Sequence, residues 1–175
     1  MTIYFYKVWQ PYGCFSNFSP HPIEIDKTFW STVEHYYQAQ KFEGSPDEAI
    51  IALIHAASTP EEAAALGRCS NRQLRSDWEI VKTKVMRKAV LKKFLTHRDI
   101  GEILLSTEDN LLVEDSPNDY FWGCGANRTG LNHLGKILMN VREELRILSM
   151  ETLDKPSTSR CEPRVNLSVR QIYPL

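Results

Sequence analysis

The sequence lacks what would tie it to a membrane. No apolar run approaches the ~20 residues that a bilayer span needs. Its first ten residues, MTIYFYKVWQ, have no basic start, long apolar segment or small-residue cleavage site of a secretion signal. Cysteine is sparse. Cys14, Cys69, Cys124 and Cys161 stand singly, with no CxxC pair and no histidine at zinc-finger spacing. That pattern is expected of reduced thiols in a cytoplasmic protein. Cys124 is the one to inspect, because it sits in a glycine-rich loop.

An excess of one charge is also missing. Lys plus Arg number 21 against 22 Asp plus Glu, a net charge of -1. Such a chain has no overall field that draws it to a nucleic-acid backbone or an anionic membrane, which argues against a dedicated DNA-binding protein. A local basic pocket for a small phosphorylated substrate is still compatible. Metal and nucleotide signatures are absent too. There is no HExxH, GxSxG, EF-hand loop or GK[ST] P-loop, and no GxGxxG after a strand. His21, His35, His55, His97 and His133 show no ligand spacing. No metal and no cofactor are expected.

What is present suits one α+β domain, predominantly helical, in 175 residues of which 42% are hydrophobic and 25% charged. Short β-rich runs occur at TIYFY, at IEI and KTFW around Asp26-Lys27, and at NLLVED. Between the first two lies PYGCFSNFSPHP, loop chemistry with two Phe residues that should pack down. Helices are expected from Ser31, from Pro46 with Ser45 as cap, and from Pro60 with Thr59 as cap and Gly67 as stop. A fourth is expected after Ser76, capped in a box with Glu79, and a fifth over RDIGEILLS. The last is LNHLGKILMNVREELRIL. Strands do not alternate with helices, so a doubly wound sheet is not expected. The domain should span 1–148, with a polar tail over 149–175 whose closing VRQIYPL could dock on it.

Helix 31–42, STVEHYYQAQKF, carries an unusual stripe. Glu34, Gln38 and Lys41 fall within a sector roughly 60° wide, and aromatic or small apolar residues fill most of the remainder. A surface helix normally has the reverse proportions. Glu34 fits position N3 of a capping box headed by Ser31, which leaves Gln38 and Lys41 unexplained. Lys41 lies roughly 10 Å further along the axis. Capping and chemistry are both open for Glu34.

Two further places could hold a ligand. Trp78 starts a helix among Arg75, Asp77 and Lys82, as either a core residue or an aromatic plate of the kind that stacks nucleobases. The loop SPNDYFWGCGANRTG is long for a compact domain. Its glycines let backbone amides approach a phosphate, Arg128 could add a bidentate contact, and a helix N-terminus follows. A plain connection with a packed Trp is the competing reading.

The blocks FSNFSP, TVEHYYQAQKF, LRSDWEIVKTKVMRKAV and LVEDSPNDYFWGCGANRTGLNHLGKILM occur in the order found in the YbiA-like, or NADAR, family, which the chain therefore resembles. The resemblance runs from about residue 3 to residue 147. It implies an N-glycosidase whose members cleave ribose from an aminopyrimidine in early riboflavin-pathway intermediates, releasing ribose 5-phosphate and the free base. Other members remove ADP-ribose from guanine. On that resemblance Glu34, Asp119 and Lys41 are the catalytic candidates and Trp78 and Trp122 the residues that shape the base pocket; the loop's own chemistry adds Arg128 and the amides around Gly123 as substrate-binding candidates for the phosphate. Carboxylates suit acid/base and charge-stabilising work at C1′. A lysine of lowered pKa could trap the opened sugar aldehyde as a Schiff base. The expected partner is a small phosphorylated ribosyl substrate. ADP-ribosylated guanine, or non-catalytic binding of ADP-ribose or NAD, is the alternative.

Overall fold

The computed structural model describes residues 1–153, with side chains to residue 151. Strand β1 (Thr2–Phe5) pairs in parallel with β4 (Leu111–Glu114), Thr2 facing Leu111 and Phe5 facing Glu114. A parallel pair needs a crossover, and here it is most of the domain. Strands β2 (Ile23–Ile25) and β3 (Thr28–Trp30) form an antiparallel hairpin. Asp26 (φ 51°) and Lys27 (φ 64°) both take the left-handed conformation that a two-residue hairpin turn requires.

Among the described residues six helices supply the rest: α1 (Val33–Gln40), α2 (Ile50–Ala56), α3 (Pro60–Gly67), α4 (Trp78–Thr96), α5 (Arg98–Ser106) and α6 (His133–Leu153). Helix α1 is central, packed by α2, α3 and α4, and only its last residue escapes burial. Helix α6 packs on α4, α5 and β4. Among the described residues no helix is long and apolar enough to cross a membrane.

Several expected caps differ. The N-cap of α1 is Thr32, whose hydroxyl accepts from the His35 amide at 3.3 Å. Ser31 therefore heads no box, and Glu34 falls at N2. Ser45 accepts from the Asp47 amide, but residues 46–49 only turn, and α2 begins at Ile50. Ser76 does not cap α4; Asp77 takes that position and its carboxylate is held by Arg75. Thr59 does cap α3, accepting from the Glu62 amide. Glu62 reaches back one residue further than expected, to the Ser58 amide. On α4, Met86, Ala89, Val90 and Phe94 are buried as the periodicity predicts, while Ile80 is 77% exposed. Helix α6 continues to Leu153, so the polar segment expected from 149 starts inside it. The closing VRQIYPL lies outside the described residues.

The loop over residues 11–20 does pack down. Lys93 of α4 is buried, and its Nζ donates to Cys14 O (2.5 Å), Ser16 O (2.9 Å) and Ser19 Oγ (2.6 Å). Burial lowers its pKa to about 7. Three close acceptors nevertheless match the three N–H bonds of an ammonium, so we assign Lys93 as charged. The loop so pinned offers Asn17 O to the Glu34 amide at 3.1 Å.

Candidate active site

The stripe on α1 is not a solvent face. Glu34 is 4% exposed and Gln38 is 1% exposed. Gln38 Nε2 donates to Glu34 Oε1 at 2.7 Å, and Arg68, just past α3, stands 3.6 Å from the same oxygen. α3 comes this close because its last residue is glycine. A Cβ on Gly67 would overlap Gln38 Oε1. Burial raises the Glu34 carboxyl above its usual range. Gln38, Arg68 and Lys41 pull it back, and the Asp119 charge adds to the rise.

Lys41 follows α1 and is half-buried. Its Nζ donates to Gly67 O at 3.2 Å and sits 5.6 Å from the centre of the Tyr37 ring. Burial lowers its pKa to about 8. Glu34 opposes that shift; Arg68 and Lys82 reinforce it. An amine so placed is a better nucleophile near neutrality than an ordinary lysine.

Asp119 anchors the start of its loop. Its Oδ1 accepts from the Phe121 amide (2.9 Å) and the Trp122 amide (2.6 Å), which fixes the carboxylate and the aromatics after it. Tyr37 lies between the two tryptophans, 5.1 Å from Trp78 and 5.5 Å from Trp122 by ring centroids. Burial holds the Tyr37 phenol protonated, with Glu34 and Asp119 adding to the effect. Trp78 is only 5% exposed, so it backs the aromatic wall. The half-buried Trp122 and Phe121, with Lys82 Nζ 3.9 Å from the Phe121 ring centre, present more surface.

The structure thus brings Glu34, Lys41, Asp119, Trp78 and Trp122 together. It does not bring Arg128 to them. That residue is exposed, lies over the Tyr4 ring at 4.6 Å and approaches Tyr4 OH at 3.4 Å, beside the β1–β4 pair. Gly123 has a packing role: a Cβ there would meet Glu114 O at 2.9 Å and Asp119 O at 3.1 Å. Nor are the first amides of α6 open to an anion. His133 and Leu134 donate to the carbonyls of Phe121 and Trp122. Cys124 is buried, and its Sγ lies 3.4 Å from Asp115 Oδ1. Burial and that acid raise its pKa and keep it a thiol.

Two charged neighbours escaped the sequence reading. Arg68 carries no periodic signal, since it follows the glycine that ends α3. Glu114 closes β4, and burial, then Asp119 and Glu34, push it up to about 8 against a counter-pull from Arg68. Its place next to the Asp119 loop in LVEDSPND was the available clue. Among the described residues no three His, Cys, Asp or Glu side chains are grouped to hold a metal ion. A cavity of about 580 Å³ between the β2–β3 hairpin and α4 shares no residue with this cluster.

Residues 4–146 match the family model of the NADAR domain. A Nostoc punctiforme protein named as an N-glycosidase is 78% identical over 85% of this chain and 95% of its own length. The N-glycosidase YbiA of Escherichia coli is 46% identical over 83% of this chain and 89% of its own. The NMR structure of YbiA superposes with a TM-score of 0.78 at 44% identity, covering 86% of this chain and 90% of that one. The chloroplastic riboflavin biosynthesis protein PYRR of Zea mays is 46% identical over 82% of this chain, which spans 25% of that longer protein.

Proposed function

The chain belongs to the NADAR family, and from that premise we propose that it is an N-glycosidase hydrolysing the N–C1′ ribosyl bond of early riboflavin-pathway aminopyrimidine ribose 5-phosphates. The products are ribose 5-phosphate and the free base, and the setting is cytoplasmic. The observation that carries this reading is the joining of Glu34, Asp119 and Lys41 beside the Tyr37–Trp122 aromatic wall. Relatives named N-glycosidase, and one named for riboflavin biosynthesis, support it.

Departure of the base builds positive charge at C1′. Fixed carboxylates stabilise that charge and take the proton from an attacking water. Asp119 is positioned by two backbone amides and Glu34 by Gln38, so neither needs to reorganise as the bond breaks. Trp122 and Phe121 offer faces to the base. Arg68, Lys41 and Lys82 are the cations at hand for the ribose phosphate. A covalent route is also open to Lys41. Its amine can add to the aldehyde at C1′ of the opened sugar and lose water to give an imine.

The test is one panel of substrates. Purified protein receives the aminopyrimidine ribotide, ADP-ribosylated guanosine and free ADP-ribose. Release of ribose 5-phosphate from the first is expected. Release of ADP-ribose from the second, or binding without product, would overturn the substrate assignment. Borohydride added during turnover should leave a reduced sugar on Lys41 if the imine forms; an unmodified Lys41 leaves direct water attack.

A further inference from the structure

The proposed reaction needs an acid as well as a base, and three carboxyl groups share the site under different conditions. Burial raises the Glu34 carboxyl, but its Oε1 takes a hydrogen bond from Gln38 and faces Arg68, and both of these favour the ionised form. Asp119 Oδ1 takes two backbone amides. Glu114 has no comparable support. Its Oε2 is buried without a hydrogen-bond partner among the described residues.

The position of Glu114 is not a loop accident. Its amide donates to Asn132 Oδ1 at 3.0 Å, its carbonyl accepts from the Cys124 amide at 2.9 Å, and it closes β4 opposite Phe5. The charged groups acting on it come from three separate segments: Asp119 from the loop, Glu34 from α1 and Arg68 from the end of α3. Two acids against one cation, around an unpartnered buried oxygen, favour a neutral carboxylic acid.

We propose that Glu114 is the general acid of the site, donating its carboxyl proton to the departing nitrogen. This rests on the glycosidase reading. The N–C1′ bond breaks with its electron pair going to nitrogen, which takes the Glu114 proton. Water oxygen bonds to C1′ and gives one proton to the Asp119 or Glu34 carboxylate. That proton returns to the Glu114 carboxylate through solvent before the next turnover. Glu114 is thereby the acid of a pair whose environments divide the roles.

The test is Glu114→Gln, close in shape and without the proton. On the aminopyrimidine ribotide kcat should fall about 10²–10⁴-fold. On a ribose 5-phosphate bearing a nitrophenoxide leaving group, which needs no proton, the deficit should shrink at least about tenfold. The alkaline limb of the parent kcat/KM profile should lose the part due to Glu114, leaving what Lys41, which titrates at about 8, contributes. Equal losses on both substrates, or an unchanged alkaline limb, would overturn the proposal. A readout without substrate separates it from the glycosidase reading. The infrared carbonyl band of a protonated carboxylic acid at pH 7 should be present in the parent and lost in the variant. If no band is lost, Glu114 is not the acid, whatever the substrate. If the parent cleaves no ribotide but the band is lost, the substrate assignment falls and the protonated Glu114 stands.

Discussion

Gln38 donates a side-chain hydrogen bond to Glu34 at 2.7 Å, one turn apart on a helix buried along almost its whole length. The pair explains the polar stripe on α1. The amide orients the acid, and Lys41 completes the row where the chain leaves the helix beside Arg68 and Gly67. A capping role would have turned Glu34 back toward Ser31; Thr32 caps instead.

Removing either fixed charge should stop the chemistry without unfolding the domain. Glu34→Gln and Asp119→Asn are each expected to lower kcat about 10²–10⁴-fold on the ribotide. Asn keeps a carbonyl oxygen for the Phe121 and Trp122 amides, so circular dichroism and thermal midpoint should barely change. Full activity in both variants would sink the assignment.

Gly67→Ala forces a methyl group into Gln38, where it would overlap Oε1. Overpacking of this kind costs about 1–3 kcal/mol. The Gln38–Glu34 bond should break with it. A lower denaturation midpoint together with reduced kcat is expected; an unaltered enzyme would mean that α3 can retreat from α1.

Glu114 ordinarily titrates near 4.5 and is pushed up to about 8 by burial, then by Asp119 and Glu34. Between those values the folded chain keeps a proton that the unfolded chain has released. The contribution is therefore full below 4.5 and lost as pH rises through 8, at most about 1.4 kcal/mol per pH unit. Glu114→Gln removes the dependence. Urea unfolding from about pH 5 to 8 should show the variant gaining on the parent as pH rises. Parallel curves would refute the shifted carboxyl.

Lys93→Met takes the donor from Cys14 O, Ser16 O and Ser19 Oγ at once. Ser16 O keeps the Ser19 amide and Ser19 Oγ still donates to Cys14 O, so what is lost is charge-assisted bonding, worth roughly 1.5–3 kcal/mol per bond. A loss of at least about 2 kcal/mol in chemical denaturation is expected. Because Asn17 O of the same loop holds the Glu34 amide, activity should suffer too. A fully stable Met variant would show that the loop closes without the ammonium.

Arg128→Ala should leave kcat/KM within about twofold of the parent, because Arg128 lies on Tyr4. Arg68→Ala should reduce it by at least about tenfold, a loss of roughly 1.4 kcal/mol in transition-state stabilisation. The opposite ranking would return the phosphate contact to the loop.

Local physics made much of this protein legible as sequence. The Thr59–Pro60 start and Gly67 stop of α3, the Asp26-Lys27 turn and the apolar spacing of α4 depend on neighbours within a few residues. The ordered blocks around Glu34, Trp78 and Asp119 likewise marked the candidate site along the chain. Tertiary structure decided which charges meet. Whether Thr32 or Ser31 caps α1 turned on Asn17, which takes the Glu34 amide from a distant loop. Whether the α6 amides face an anion turned on the Phe121 and Trp122 carbonyls folding back onto them. Arg68 reaches Glu34 only because a glycine lets α3 press on α1, and Glu114 joins the cluster only through the parallel pairing of β4 with β1. Contacts of that range leave no periodic trace, since spacing encodes the face of an element and not what packs against it.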